Sequence, residues 1–262
     1  MPVFGILPIL LAASLAGGPA ASARPPCAPP VEAAGVRVIR VEKNGVLVLE
    51  DGRAVKLEGL LLPGASNDHS TIALGHQAIA ALAGLTVGRT VTLAAQAPKE
   101  DRYGRLRAQA FVDETNVWLQ SEMLGRGLAR VSIAPDRREC AHELYAAESG
   151  ARATRVGLWA QPAYAVRTAD DAAHAQSDTF QIVTGKVLSA DVHNGRGYLD
   201  FGTDWGRDFT ATISPEDLKN FRQAGVDPGS YEGKTVRVRG WLEAARKPEI
   251  EVAVPEDIEV LQ

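Results

Sequence analysis

The sequence has 262 residues and a formal net charge of −4, with apolar residues at 45% and charged residues at 23%. This is an ordinary globular composition, and it excludes a global basic field that would advertise nucleic-acid binding. The charge is uneven: residues 24–165 hold 17 Lys+Arg against 15 Asp+Glu, while residues 166–262 hold 11 against 17, making the second half a poor non-specific phosphate binder.

Residues 3–16 are uncharged and mostly apolar, and they lead into Ala21-Ser22-Ala23, an A-x-A site. The expectation is a signal peptide over residues 1–23, cleaved after Ala23, although no Lys or Arg precedes the apolar run. The run is short of the roughly 20 apolar residues that a membrane span needs. The mature chain is therefore expected to have no membrane span and to be exported, periplasmic in a Gram-negative source or secreted. It holds two cysteines, Cys27 and Cys140. In an oxidising compartment a disulfide is the favoured reading, with two free thiols as the alternative. Neither cysteine has a second cysteine at metal-ligand spacing.

A mostly alternating strand opens at Arg37–Val41, and Lys43-Asn44-Gly45 turns into a second strand, Val46–Leu49. Glu50-Asp51-Gly52-Arg53 is a hairpin signal, followed by a third strand over Ala54–Leu62 that closes at Pro63-Gly64. Ile72–Leu85 has apolar residues at helical spacing. Thr90–Leu93 and Leu106–Val112 are the fourth and fifth strands, Trp118–Leu128 is a second helix, and Arg138–Arg155 is a third that ends near Gly157. Three strands, a helix and two more strands are compatible with a small closed Greek-key barrel of the OB type. Residues 161–179 are rich in Ala, Asp, Ser and Thr and read as a linker.

From Phe180 strands return, over Phe180–Ala190, Gly197–Gly202 and Asp208–Ile213. Ser214-Pro215-Glu216-Asp217 starts a helix, with a Ser N-cap, Pro at the first position and acids in the first turn. Lys234–Leu242 and Ile250–Val254 complete a second OB-like barrel over residues 180–262. Tyr198, Phe201, Trp205, Phe209 and Trp241 form either a base-stacking platform or core, and the acidic balance favours core. Arg237 and Arg239 alternate with valines and are expected on an outward, solvated strand face. The fold class is thus mainly β with α, built from two small five-stranded barrels.

Three stretches of the first half carry a family resemblance. Asp101-Arg102-Tyr103-Gly104-Arg105 resembles the Asp-Lys/Arg-Tyr-Gly-Arg signature of the staphylococcal-nuclease-like (thermonuclease) family. Gly127-Leu128-Ala129-Arg130-Val131 resembles its Gly-Leu-Ala-x-Val segment, and Gly157-Leu158-Trp159 its Gly-Leu-Trp terminus. The resemblance implies that residues 24–160 form a staphylococcal-nuclease-like OB-fold domain with that fold's helices. The second half resembles small OB accessory domains attached to some bacterial members.

Active members cleave phosphodiesters with calcium, using two Asp ligands, a Glu beside the attacking water and two phosphate-binding Arg. The matching strand here reads Val55-Lys56-Leu57-Glu58-Gly59-Leu60-Leu61-Leu62-Pro63-Gly64. It puts Leu61 at one Asp position, Gly64 at the Glu position and Lys56 at the first Arg position. The other Asp falls at about Gly45, and the second Arg is retained as Arg105. A hard cation wants oxygen ligands, so the metal set is lost at Gly45 and Leu61, and no metal site is expected. Lys56 keeps a positive charge without the guanidinium fork. Ser132-Ile133-Ala134-Pro135 stands where the family's tyrosines would be, whereas Tyr103 and Arg102 remain as substrate-binding candidates. Among nearby carboxylates, Asp51 belongs to its turn, Glu58 to a solvated strand face, and Asp68-His69 to a polar loop able to approach the pocket. Arg105 is either a phosphate binder or an anchor of its own turn through Asp101.

Three functions compete in consequence. One is a non-catalytic binding module for nucleic acid, through the first domain, or for another envelope ligand. The others are a structural envelope interaction protein of unknown partners and an active metal-dependent endonuclease or phosphodiesterase. No cofactor is expected for the first two, and calcium for the third.

Overall fold

The computed structural model describes residues 24–64, 72–172, 177–204, 206–243 and 247–261. The expected signal peptide, Asp68-His69 and Trp205 lie outside these residues.

The first half forms β1 (Val31–Val41), β2 (Leu47–Leu49), β3 (Ala54–Leu57), β4 (Leu60–Leu61), α1 (Ile72–Thr86), β5 (Thr90–Ala94) and β6 (Leu106–Val112). They are followed by β7 (Val117–Trp118), α2 (Leu119–Gly125), β8 (Arg130–Val131) and α3 (Ala141–Thr154). The sheet runs β3-β2-β1-β5-β6-β7 and is closed by a parallel β3–β6 pairing, with Lys56 opposite Arg107. Five strands therefore make a closed barrel, as expected. The first strand is longer than its alternation indicates, because register shifts at Val31/Ala33, Ala33/Val36 and Val38/Arg40 let β1 bend and pair with both β5 and β2. The expected third strand breaks at Gly59 (φ +83°), where β4 leaves the barrel to pair with β8. Leu47, Leu49, Leu82, Leu93, Met123 and Leu144 are fully buried in the core.

Two of the family-like motifs meet. Gly127 and Gly157 both have positive φ, at +63° and +58°, and the Leu158 N–H donates to the Gly127 carbonyl at 2.8 Å. A Cβ on either glycine would run into the backbone facing it. Backbone-to-backbone contact, which only glycine permits here, locks the end of α3 to the start of β8.

The second half forms β9 (Arg167–Thr168), α4 (Ala169–Ala172), β10 (Thr179–Lys186), β11 (Ser189–His193), β12 (Arg196–Asp200), β13 (Thr210–Ile213), α5 (Leu218–Gln223), β14 (Thr235–Glu243), β15 (Glu249–Glu251) and β16 (Ile258–Val260). Its sheet runs β11-β12-β13-β15-β14-β10-β9, with β16 on β14. This corrects the expected second five-stranded barrel: the sheet is barrel-like but its ladder is not closed. The expected strand from Phe180 to Ala190 divides at Val187-Leu188. There the Val187 N–H donates to Lys234 and the Leu188 N–H to Asp200, so pairing passes from the β14 side to β12. Phe201 and Phe209 are buried in this core, whereas Trp241 is 39% exposed. The expected helix start is a hydrogen-bonded turn, with the Asp217 N–H on Ser214 Oγ at 3.0 Å and Ser214 Oγ donating to Asp217 at 2.6 Å.

Helix α3 joins the two halves. Arg239 is 2% exposed and Arg237 is largely buried, so the expected solvated face is an internal one. Glu148 of α3, fully buried, accepts from Arg239 at 2.8 Å, Arg152 at 3.1 Å and the Val131 N–H at 2.7 Å. Within the segment read as a linker, Arg167–Thr168 pairs in parallel with β10, and Tyr164 is buried with Leu158, Trp159 and Ile182. Arg130 stacks between Tyr164 and Phe180, 4.8 Å from each ring.

Asp257 accepts from the Tyr145 hydroxyl at 2.9 Å in this interface. Burial pushes its carboxyl up to about 7, with Arg239 opposing and Glu256 adding to the rise. A carboxyl raised on folding stabilises at low pH and loses that contribution as pH climbs through its folded value. Between pH 5 and pH 8 the protein is expected to lose more thermal stability than Asp257→Asn, as read by melting curves. Equal slopes, or a protein more stable at pH 8, would contradict this assignment.

Candidate functional site

A cavity of about 560 Å³ opens beside the barrel where the β1–β2 turn, β3, β4 and the start of β6 converge. Lys43, Asn44, Gly45 and Val46 line it from the turn, Lys56 and Leu57 from β3, Leu60–Gly64 from β4 and its exit, and Arg105 from the mouth of β6. The parallel β3–β6 pairing brings Lys56 and Arg105 together from positions far apart in sequence. Gly45, Leu61 and Gly64, expected to mark a lost catalytic set, all line the same cavity.

Arg105 does anchor its turn. Its Nε donates to Asp101 at 2.7 Å and its Nη2 lies 2.6 Å from the same oxygen, while Asp101 also accepts the N–H groups of Tyr103 and Arg105 at 2.9 and 3.0 Å. Burial works against ionisation of Asp101, but these partners hold its carboxyl below the usual range. One edge of the guanidinium is spent on this anchor, and Arg105 still lines the cavity. Tyr103 is outside it, 66% exposed, with the Arg102 and Arg105 guanidinium groups 4.9 and 5.1 Å from its ring.

Lys56 pairs with Glu58 at 3.2 Å. Glu58 is only 3% exposed, which corrects its expected place on a solvated face. Arg107 grips both of its oxygens at 3.1 and 3.0 Å, and also both oxygens of Asp136 at 2.9 and 2.6 Å. Hydrogen bonds donated to Asp136, then to Glu58, raise the affinity of Arg107 for its proton. Glu58 is thus a structural anion occupied by cations on its own side of the barrel.

The described lining of this cavity does not fit calcium. No carboxylate lines it among the described residues. The Asn44 side-chain oxygen is taken by the Val46 N–H at 3.2 Å. Gly45 has φ +81°, and a Leu62 methyl fills the space that a Cβ there would need. Hydrocarbon therefore stands where a hard cation needs oxygen. Elsewhere among the described residues Cys27, Cys140 and Glu143 come together, but the two sulfurs are bonded to each other.

Reading by motif finds Lys56, Arg105 and the three substituted positions. It misses Lys43 and Leu62, whose only signal is their place beside Gly45 and Leu61. No helix among the described residues is long and apolar enough to cross a membrane. Residues 54–161 match the family model described as staphylococcal nuclease homologue. A search of curated proteins finds no match. The matched residues hold β3 to α3 and the two interlocked glycine motifs, so this chain carries a domain of the staphylococcal nuclease homologue family.

Proposed function

We propose that this is an exported, non-catalytic binding protein whose nuclease-like barrel holds a phosphate-bearing ligand in the cavity. The observation that carries this reading is the lining itself: three cations, Lys43, Lys56 and Arg105, and no carboxylate among the described residues. Phosphate binding needs the cations, whereas calcium-assisted hydrolysis needs the missing oxygens as well. Export rests on the residue 1–23 pattern and on the disulfide, which persists in oxidising compartments.

The test uses residues 24–262 with DNA and RNA, single- and double-stranded, in calcium and in chelator. No cleavage is expected in either, and the Gly45→Asp/Leu61→Asp double variant is expected to stay inactive because Gly64 still offers no carboxylate for the attacking water and position 45 sits at φ +81°. Calcium-dependent cleavage that disappears in Arg105→Ala would overturn the reading.

A further inference from the structure

The cavity wall is unusual for a site that receives nucleotides. Leu60, Leu61 and Leu62 are each half-buried and line it together. No aromatic ring lines it among the described residues, and Tyr103 is held outside between two guanidinium groups. Base recognition in a groove leans on ring stacking. An aliphatic wall offers none, but it takes a hydrocarbon chain without directional demands. The charge at the mouth is equally one-sided. Lys56 and Arg105 are each tethered to one carboxylate, whereas Lys43 is exposed and pairs with none among the described residues. The volume of about 560 Å³ lies within the roughly 300–1,000 Å³ of small-molecule sites.

We propose that the phosphate carrier is a single-chain alkyl phosphate, its headgroup between Lys43, Lys56 and Arg105 and its chain along Leu60–Leu62. This rests on the phosphate-binding reading above and names its ligand. Binding is direct, with no bridging metal, so chelator leaves it unchanged. The anion supplies the charge complement and the leucines supply the apolar contact that inorganic phosphate lacks.

The experiment is a calorimetric titration of residues 24–262 with monomeric dodecyl phosphate, dodecanoate, inorganic phosphate and a single-stranded oligonucleotide, each with calcium or chelator. Dodecyl phosphate is expected to bind more tightly than the other three and identically in chelator. Lys43→Glu, a change at an exposed residue, is expected to weaken it roughly 10-fold by setting a like charge beside the headgroup, and Leu61→Asp roughly 100-fold by setting a carboxylate against the hydrocarbon chain. An oligonucleotide that binds while dodecyl phosphate does not would overturn the alkyl ligand and leave the phosphate-binding reading standing. Dodecanoate equal to dodecyl phosphate would overturn the phosphate headgroup. Binding of none of the four would overturn both readings. Unchanged affinity in both variants would overturn the placement in this cavity.

Discussion

Replacing Glu148 with alanine is expected to destabilise the protein by about 3–5 kcal/mol, the range for breaking a buried ion pair from one side. Glu148 is fully buried, and the variant leaves Arg239, itself 2% exposed, without the oxygen it holds at 2.8 Å. It also strips Arg152 of its 3.1 Å partner and the Val131 N–H of its acceptor. The loss falls on both halves, because Glu148 and Arg152 belong to α3 and Arg239 to β14. At about 2–4 °C per kcal/mol for a chain of this size, the melting temperature should fall by roughly 10 °C. Glu148→Gln, which keeps an acceptor for the Val131 N–H, should lose less. The companion change Lys219→Ala, at an exposed pair with Glu216, should move the melt little. A Glu148→Ala loss below about 1 kcal/mol would mean that water reaches Arg239 and that the halves are not welded by this ion pair.

Reducing the Cys27–Cys140 disulfide, or replacing both cysteines with serine, is expected to cost a comparable amount. The bond joins residues 113 apart in sequence. Closing a loop of about that length removes unfolded-state entropy worth about 4–5 kcal/mol in the chain-entropy model. In the folded state the bond pins the segment before β1 to the residue just before α3, and Cys140 is 2% exposed. Denaturant unfolding with and without reductant measures the difference. A midpoint shift equivalent to less than about 1 kcal/mol would show that the reduced unfolded chain is already compact, so that the bond constrains little.

These two predictions draw on different kinds of legibility. The cysteine pairing was readable as a preference from compartment chemistry, with free thiols left open, and the structure joins them. Glu148 and Arg239 were not readable. Arg239 alternates with valines, and alternation tells which residues share a strand face but not what packs on it. The acidic partner is 91 residues away, on a helix of the first half. Glu58 was misplaced for the same reason: it shares a strand face with Lys56, and two charges on one face read as solvated, but Arg107, brought alongside by the parallel β3–β6 pairing, helps bury it.

The sequence by itself determined the first barrel and the chemical character of its cavity. Apolar alternation, turn glycines and three spaced motifs specify that topology, and the residue types at Gly45, Leu61 and Gly64 remove the carboxylates from those three positions whatever the packing. Only the tertiary structure decided that Lys43 and Leu62 share that cavity, that Arg105 gives one edge of its guanidinium to Asp101, and that the second sheet remains an unclosed ladder. It also decided that the expected linker packs against both halves. Each of these depends on which surfaces meet, and burial by a distant segment leaves no local signature in the residues that it covers.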